Sequence, residues 1–108
     1  MASLFDNLVI DKQVIIEQEY TIEGYGKQYA VILHNDDKTP FQFVIYALIE
    51  IFGKTVEEAS NLALKIHNST KGTVGIYDKD TAYDKVDELD KLKKEFRYPL
   101  LATVEEVE

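Results

Sequence analysis

Two helix-start signatures lie on either side of one glycine: Thr39-Pro40-Phe41-Gln42, then Thr55-Val56-Glu57-Glu58, with Gly53 between them. A Thr followed three residues later by Gln or Glu lets two orphan amides of a first helical turn be satisfied reciprocally, side chain to backbone in both directions. Thr39 is therefore read as the N-cap of a first helix, with Pro40 at the first helical position, where a missing N–H costs nothing, and Gln42 completing the box. Apolar residues at 41, 44, 48 and 51/52 keep the 3.6-residue period, and Gly53 stands where a left-handed C′ residue belongs. A second helix carries Ala59, Leu62, Ala63 and Ile66 on one stripe, with Gly72 as its stop. The short link between the two makes them a tight hairpin.

The apolar face of that hairpin needs a sheet to cover. Residues 29–33, Tyr-Ala-Val-Ile-Leu, form an apolar run of β type that ends against His34-Asn35-Asp36-Asp37, side chains that favour turns over ladders. Residues 73–77 read as a second strand. Asp78 or Asp80 then caps a third helix, on which Ala82, Val86, Leu89, Leu92 and Phe96 recur at i+3 and i+4 until Pro99 ends it. Residues 100–104 give a last strand, and Glu105-Glu106-Val107-Glu108 trails off as an acidic end. The order βααβαβ predicts an α+β domain over residues 28–108, a small three-stranded antiparallel sheet packed against three helices. Residues 1–27 hold no sustained period. Their stretch 14–22 could make a strand with nothing obvious to pair with, so this part is read as a flexible N-terminal extension.

Charge and cysteine content narrow the functions available. A chain of 108 residues is one small domain, and its 20 acidic against 12 basic side chains leave a net charge of −8. Such a chain repels phosphate backbones and anionic lipid, and its cations never cluster beyond Lys93-Lys94, so neither nucleic acid nor a membrane is an expected partner. Without cysteine there are no disulfides, thiolate nucleophiles or zinc fingers, and a reducing, cytoplasmic setting is the default. No apolar run approaches the length that crosses a bilayer, and the start of the chain lacks the basic and apolar stretches of a signal peptide. Expected partners are proteins, peptides or small cations, and nothing demands more than a monomer.

The densest polar constellation is His34, Asn35, Asp36, Asp37 and Thr39 at the strand end, with His67 the only other histidine. Two histidines and two carboxylates could hold a metal, but their spacing matches no ligand motif with a mechanism, and neither a metal nor a cofactor is expected. No Cys, no Gly-x-Ser-x-Gly and no His-Glu-x-x-His is present to support hydrolysis, so enzyme readings are thin. Two alternatives stay open. In one, Asn-Asp-Asp only supplies turn chemistry and His67 only ends an amphipathic helix. In the other, His67 lies four residues beyond Ala63 and beside Leu62 and Ile66, at the edge of an apolar wall rimmed by acceptors. An amide oxygen, a carboxylate and a neutral imidazole nitrogen would suit a cation with several N–H donors, as an α-ammonium group is.

At these residues the chain closely resembles the bacterial ClpS adaptor family. The likeness runs through Tyr29-Ala-Val-Ile-Leu-His-Asn-Asp-Asp-Lys-Thr-Pro-Phe-Gln-Phe-Val44, Glu58-Ala59, Ile66-His67, Lys71-Gly72, Ala82 with Lys85-Val86, and Pro99-Leu-Leu-Ala-Thr103, and spans residues 29 to about 106. It implies that the protein is no enzyme but an adaptor that recognises proteins by a destabilising first residue (Leu, Phe, Tyr or Trp) and delivers them to the ClpA unfoldase, or a ClpC-type one, for degradation by ClpP. By match to the family motif, Asn35, Asp36 and His67 would hold the α-amino group of the N-degron. Leu33, Thr39, Phe41, Val44, Ala63, Ile66 and Leu100 would line the side-chain pocket, and Asp80 and Lys85 would contact the unfoldase N-terminal domain. The extension would take part in delivery. Phe41 and Ala63 depart from a family pattern that commonly has Met at both positions, and Asp80 replaces a longer Glu. The alternative this leaves is a pocket-altered regulatory domain that binds the unfoldase without delivering cargo.

Overall fold

Strand β1, Gln28–His34, carries four consecutive buried residues, Ala30, Val31, Ile32 and Leu33, which is how a strand enclosed on both faces reads. It is the centre of a three-stranded sheet in the order β2-β1-β3, with β2 at Lys71–Tyr77 and β3 at Leu101–Val107, both antiparallel to it. The computed structural model describes residues 26–107. Helices α1 (Phe41–Glu50), α2 (Val56–Ser69) and α3 (Lys79–Phe96) complete the order βααβαβ, as the sequence predicts. Helix α3 packs on all three strands, and α2 joins α1 to β2. The expected unpaired strand at 14–22 and all but the last two residues of the expected extension lie outside the described residues.

The capping box of α2 forms as read. The Thr55 hydroxyl accepts the Glu58 amide at 3.1 Å, and the Glu58 carboxylate accepts the Thr55 amide at 3.0 Å. Gly53 takes the left-handed conformation, φ +67°, and closes the hairpin. Asp78 rather than Asp80 caps α3, accepting the Thr81 amide.

The start of α1 differs from expectation. Pro40, with extended backbone (φ −63°, ψ 145°), is the N-cap, and its carbonyl accepts the amides of Phe43 and Val44. Thr39 is not the cap because its hydroxyl and amide are both claimed by Asp36, and Gln42 completes no box. Gly72 does not stop α2 either. Thr70 does so, in the left-handed conformation at φ 72°, and Gly72 already lies in β2. Its smallness serves packing instead, since a Cβ there would stand 3.0 Å from Cγ1 of Ile66. Strand β3 runs on through Glu105 and Glu106, so the acidic end is a strand edge, held at Lys27–Glu106 by an ion pair at 3.1 Å. The Phe96 end of the α3 stripe is 45% exposed rather than core.

One β-bulge, between Val31 and Ile32 against β2, leaves Val74 as the extra residue and turns it into the core, where it is 2% exposed. The core then fills from Leu33 and Val31 beneath, Leu48 and Ile66 from the hairpin, and Leu89 and Leu100 from the far side. Gly72→Val should destabilise the domain by about 1–3 kcal/mol, because the new branches must displace Ile66 in a filled interior. Urea unfolding of the two proteins checks this.

Candidate functional site

The loop from Asn35 to Pro40 leaves β1 and enters α1, and two sets of hydrogen bonds give it its form. The Asn35 amide donates to the Thr70 carbonyl at 2.7 Å, which fastens the end of β1 to the end of α2. Asp36 organises the rest. Its Oδ1 accepts the amides of Lys38 and Thr39 at 2.8 and 2.7 Å, and its Oδ2 accepts the Thr39 hydroxyl at 2.8 Å. This is the Asx geometry that a short carboxylate adopts when it replaces a backbone turn. Partial burial alone would push the Asp36 carboxyl up, but the bonds from the Thr39 hydroxyl and the two amides outweigh it and hold the group below its ordinary value of 3.8. Three of its roughly four lone-pair sites are thereby used, so Oδ2 keeps one for a further donor.

Across the loop stands α2. The His67 ring, exposed near its last turn, meets Phe41 of the first turn of α1 edge to face, with centroids 6.5 Å apart and planes at 85°. Strand end, loop, helix start and helix end thus meet at one corner of the molecule, and the Asn35 side chain is exposed there. Beneath the corner, Leu33, Ala63, Ile66 and Leu100 are at most 2% exposed and Val44 is 8%, all in one core cluster. Thr39 is half-buried and Phe41 is 39% exposed. The corner thus offers three kinds of acceptor, a fixed carboxylate, an imidazole and an amide oxygen, next to apolar residues that are themselves packed into the core.

Not every residue singled out from the sequence joins this corner. His34 turns away and shares a hydrogen bond of 2.8 Å with the Thr103 hydroxyl. Asp80 is exposed in the first turn of α3, and Lys85 belongs to the other end of α1, where its ammonium donates to the Ile51 carbonyl at 2.9 Å and lies 5.9 Å from the Tyr77 ring centroid. Burial pushes the Tyr77 phenol up to about 12, with Glu88 adding to the shift. Among the described residues no group of three His, Cys, Asp or Glu side chains could hold a metal, and no helix is long and apolar enough to cross a membrane. Sequence reasoning passed over one feature, a cluster of Phe43, Tyr46, Phe96 and Tyr98 beside the corner. Its signals were Tyr46 three residues after Phe43 and the alternation Phe96-x-Tyr98 before Pro99.

Fold and corner together define a small α+β binding module. The model of the family described as ATP-dependent Clp protease adaptor protein ClpS matches residues 25–103, and the chain belongs to that family of adaptors. Among its relatives, the ATP-dependent Clp protease adapter protein ClpS of Desulforapulum autotrophicum is 45% identical over 83 residues, covering 77% of this chain and 80% of the relative. The protein of the same name from Helicobacter hepaticus is 44% identical over 81 residues, or 75% and 82% of the two chains. Among solved structures, Agrobacterium tumefaciens ClpS2 bound to L-phenylalaninamide superposes with a TM-score of 0.72 at 32% identity, covering 75% of this chain and 98% of that one.

The Asp36 knot carries a pH signature. A carboxyl held below its ordinary value contributes stability that is fully present above 3.8 and is lost as the pH falls through the lower folded value. Because the group is largely exposed, the global effect is small and the local one decisive. Hydrogen exchange at the Lys38 and Thr39 amides should stay slow down to about pH 4 and accelerate beyond the intrinsic rate change below it, and Asp36→Ala should remove that protection at every pH.

Proposed function

We propose that this protein binds the first residue of N-degron substrates, a free α-amino group joined to a bulky hydrophobic side chain, and delivers them to a ClpA- or ClpC-type unfoldase for degradation by ClpP. In this reading Asn35, Asp36 and His67 accept the three N–H donors of the ammonium, and the side chain enters between α1 and α2 against Leu33, Thr39, Phe41, Val44, Ala63, Ile66 and Leu100. The observation that carries it is the Asp36 carboxylate, oriented in advance by Thr39 with one lone-pair site left open, at a corner where Phe41 brings His67 alongside. The Agrobacterium relative was solved with L-phenylalaninamide, which has a free α-amine and a phenyl side chain. The reading extends that chemistry to this chain.

Discrimination follows from polar groups that suffer when left unmatched. A charge-assisted hydrogen bond contributes about 1.5–3 kcal/mol, and a site built to accept an N–H rejects a ligand without one far more strongly than an apolar slot rejects a wrong shape. Burying a leucine or phenyl side chain adds roughly 1.5–3 kcal/mol. Three such bonds and one buried side chain sum to roughly 6–12 kcal/mol, a range that contains the roughly 8 kcal/mol of micromolar binding and suits an adaptor that must release its cargo. Delivery would use Asp80 and Lys85 toward the unfoldase and the N-terminal extension toward its pore, with the adaptor acting as a monomer in the cytoplasm.

Isothermal calorimetry with a peptide beginning in Phe should give a micromolar dissociation constant, and the same peptide acetylated should bind at least about a hundredfold more weakly. Asp36→Ala should lower affinity about tenfold or more. Equal affinity for the acetylated peptide would exclude the amine site. In a reconstituted degradation assay, removing residues 1–20 should leave peptide affinity intact and slow turnover of an N-degron substrate. A second reading, a regulatory domain with an altered pocket, is favoured by the Phe41 ring resting on His67 where the family commonly carries a pliable Met. It predicts unfoldase binding with no calorimetric signal from any free-amine peptide.

A further inference from the structure

Helix α1 presents two faces at its first turn. Phe41 and Val44 look toward α2 and the corner described above. Gln42, Phe43 and Tyr46 look the other way, toward the end of α3, and with Pro40, Phe96 and Tyr98 they line a groove of about 270 Å³. One side of it is the Phe96 and Tyr98 rings, stacked at 18° with centroids 6.4 Å apart. Phe43, 5% exposed, forms the floor, its ring 5.2 Å from Phe96 and 4.9 Å from Tyr98. Tyr46, 42% exposed, closes one end at 6.0 Å from Phe96. Among the described residues no hydrogen bond engages the Tyr46 or Tyr98 hydroxyl or the Gln42 amide, so aromatic walls come with open donors. Parallel rings over an apolar floor, with hydroxyls at the rim, suit a proline or aromatic side chain of an extended polypeptide whose carbonyls need partners.

The groove continues the corner rather than standing apart from it. The ring contact between His67 and Phe41 ends at the half-buried Pro40 and the exposed Gln42, and those two residues are already groove lining. A helix with side chains is roughly 10–12 Å across, so the path around the first turn of α1 is on the order of 10–15 Å. At about 3.3 Å per residue an extended chain covers it in three to five residues. Beside Phe96 and Tyr98 in the sequence, Lys94 and Arg97 are exposed with one carboxylate, Glu95, between them, still a local excess of cations in a chain of net charge −8.

The geometry points to the groove as a second subsite for the same substrate, taking a proline or aromatic residue at about the fourth to sixth position of the N-degron, with carboxylates favoured after it and lysines disfavoured. This rests on the amine-site reading above and adds to it a preference in the downstream sequence. The occupant is the substrate's own chain, because a ligand anchored at the corner already has its continuation tethered within reach, so even a weak second contact adds to affinity.

The test uses the full chain and a set of fluorescent peptides beginning with Phe, followed by Ser and Gly, with a single Trp or Pro moved from position three to position eight. Anisotropy should show a gain of roughly three- to tenfold when the ring reaches positions four to six, relative to an all-Ser/Gly peptide. Tyr46→Ser and Phe96→Ser alter half-exposed side chains, so the fold should survive. Each should abolish the gain while leaving the Ser/Gly peptide within about twofold of wild-type affinity. Binding that depends on the free amine but is indifferent to ring position, or a gain that survives in both variants, would overturn the subsite and leave the amine site standing. Binding that follows the ring but ignores acetylation would overturn the groove as part of a degron site. If no free-amine peptide binds, the amine-site reading fails and the subsite fails with it.

Discussion

A single backbone hydrogen bond, from the Asn35 amide to the Thr70 carbonyl, fastens the two ends that meet at the candidate corner. Thr70 is the left-handed residue that ends α2, and Asn35 is the first residue beyond β1. Fastening one to the other sets the last turn of α2 beside the loop that leads into α1. That bond, the pairing of His34 with Lys71 and the packing of α1 on α2 together give a shared neighbourhood to Asp36 and His67, which lie 31 residues apart in the chain. The Asp36 network then acts on a loop whose position is already settled. Its three short bonds fix an orientation, and the helix they precede carries Phe41 across to His67.

Much of the fold can be read from residue order because local and global demands agree. The α2 capping box, the left-handed Gly53 and the apolar run of β1 each have one sensible structural use, and each takes it. The disagreements share a cause. Thr39 is a competent N-cap by type, but a carboxylate three residues earlier competes for its amide and hydroxyl and wins. Gly72 looks like a helix stop, yet what demands a glycine there is Ile66 pressing from α2, a tertiary contact with no local signature. Phe96 keeps the helical period of α3 but falls at the very end of the helix, where no layer remains to cover it. Local rules fail where a competing neighbour, a tertiary contact or the lack of a covering layer sets the terms.

The candidate site divides along the same line. That acceptors gather near residues 34 to 39 is visible in composition alone, and that His67 borders an apolar stripe follows from helical spacing. Which acceptor is oriented, and by what, is not visible. Nothing in Asn-Asp-Asp says that Asp36 and not Asp37 will hold Thr39, and His34, equal to His67 by residue type, turns to Thr103 because it closes β1 opposite the start of β3. Only the family likeness implies a pairing of loop and histidine. The aromatic groove had no such help, since its four rings come from α1, α3 and the turn after α3, and only the packed chain brings them together.

Lysines hold the layers that keep this corner in register. Lys85 reaches from α3 to the Ile51 carbonyl at the end of α1, and Lys93 reaches from α3 to the Leu100 carbonyl just before β3. Both carbonyls lie where regular pairing stops, and a half-buried ammonium satisfies such an acceptor while its methylene stem covers apolar surface. For Lys85 this has a consequence for partner binding. An ammonium already donating to Ile51 has two hydrogens left, so an acidic group on an unfoldase domain would have to join this bond rather than replace it. A partner that took Lys85 away from Ile51 would loosen the C-terminal end of α1, the helix whose first turn carries Phe41. Lys85 and Phe41 thus stand at opposite ends of one helix of ten residues.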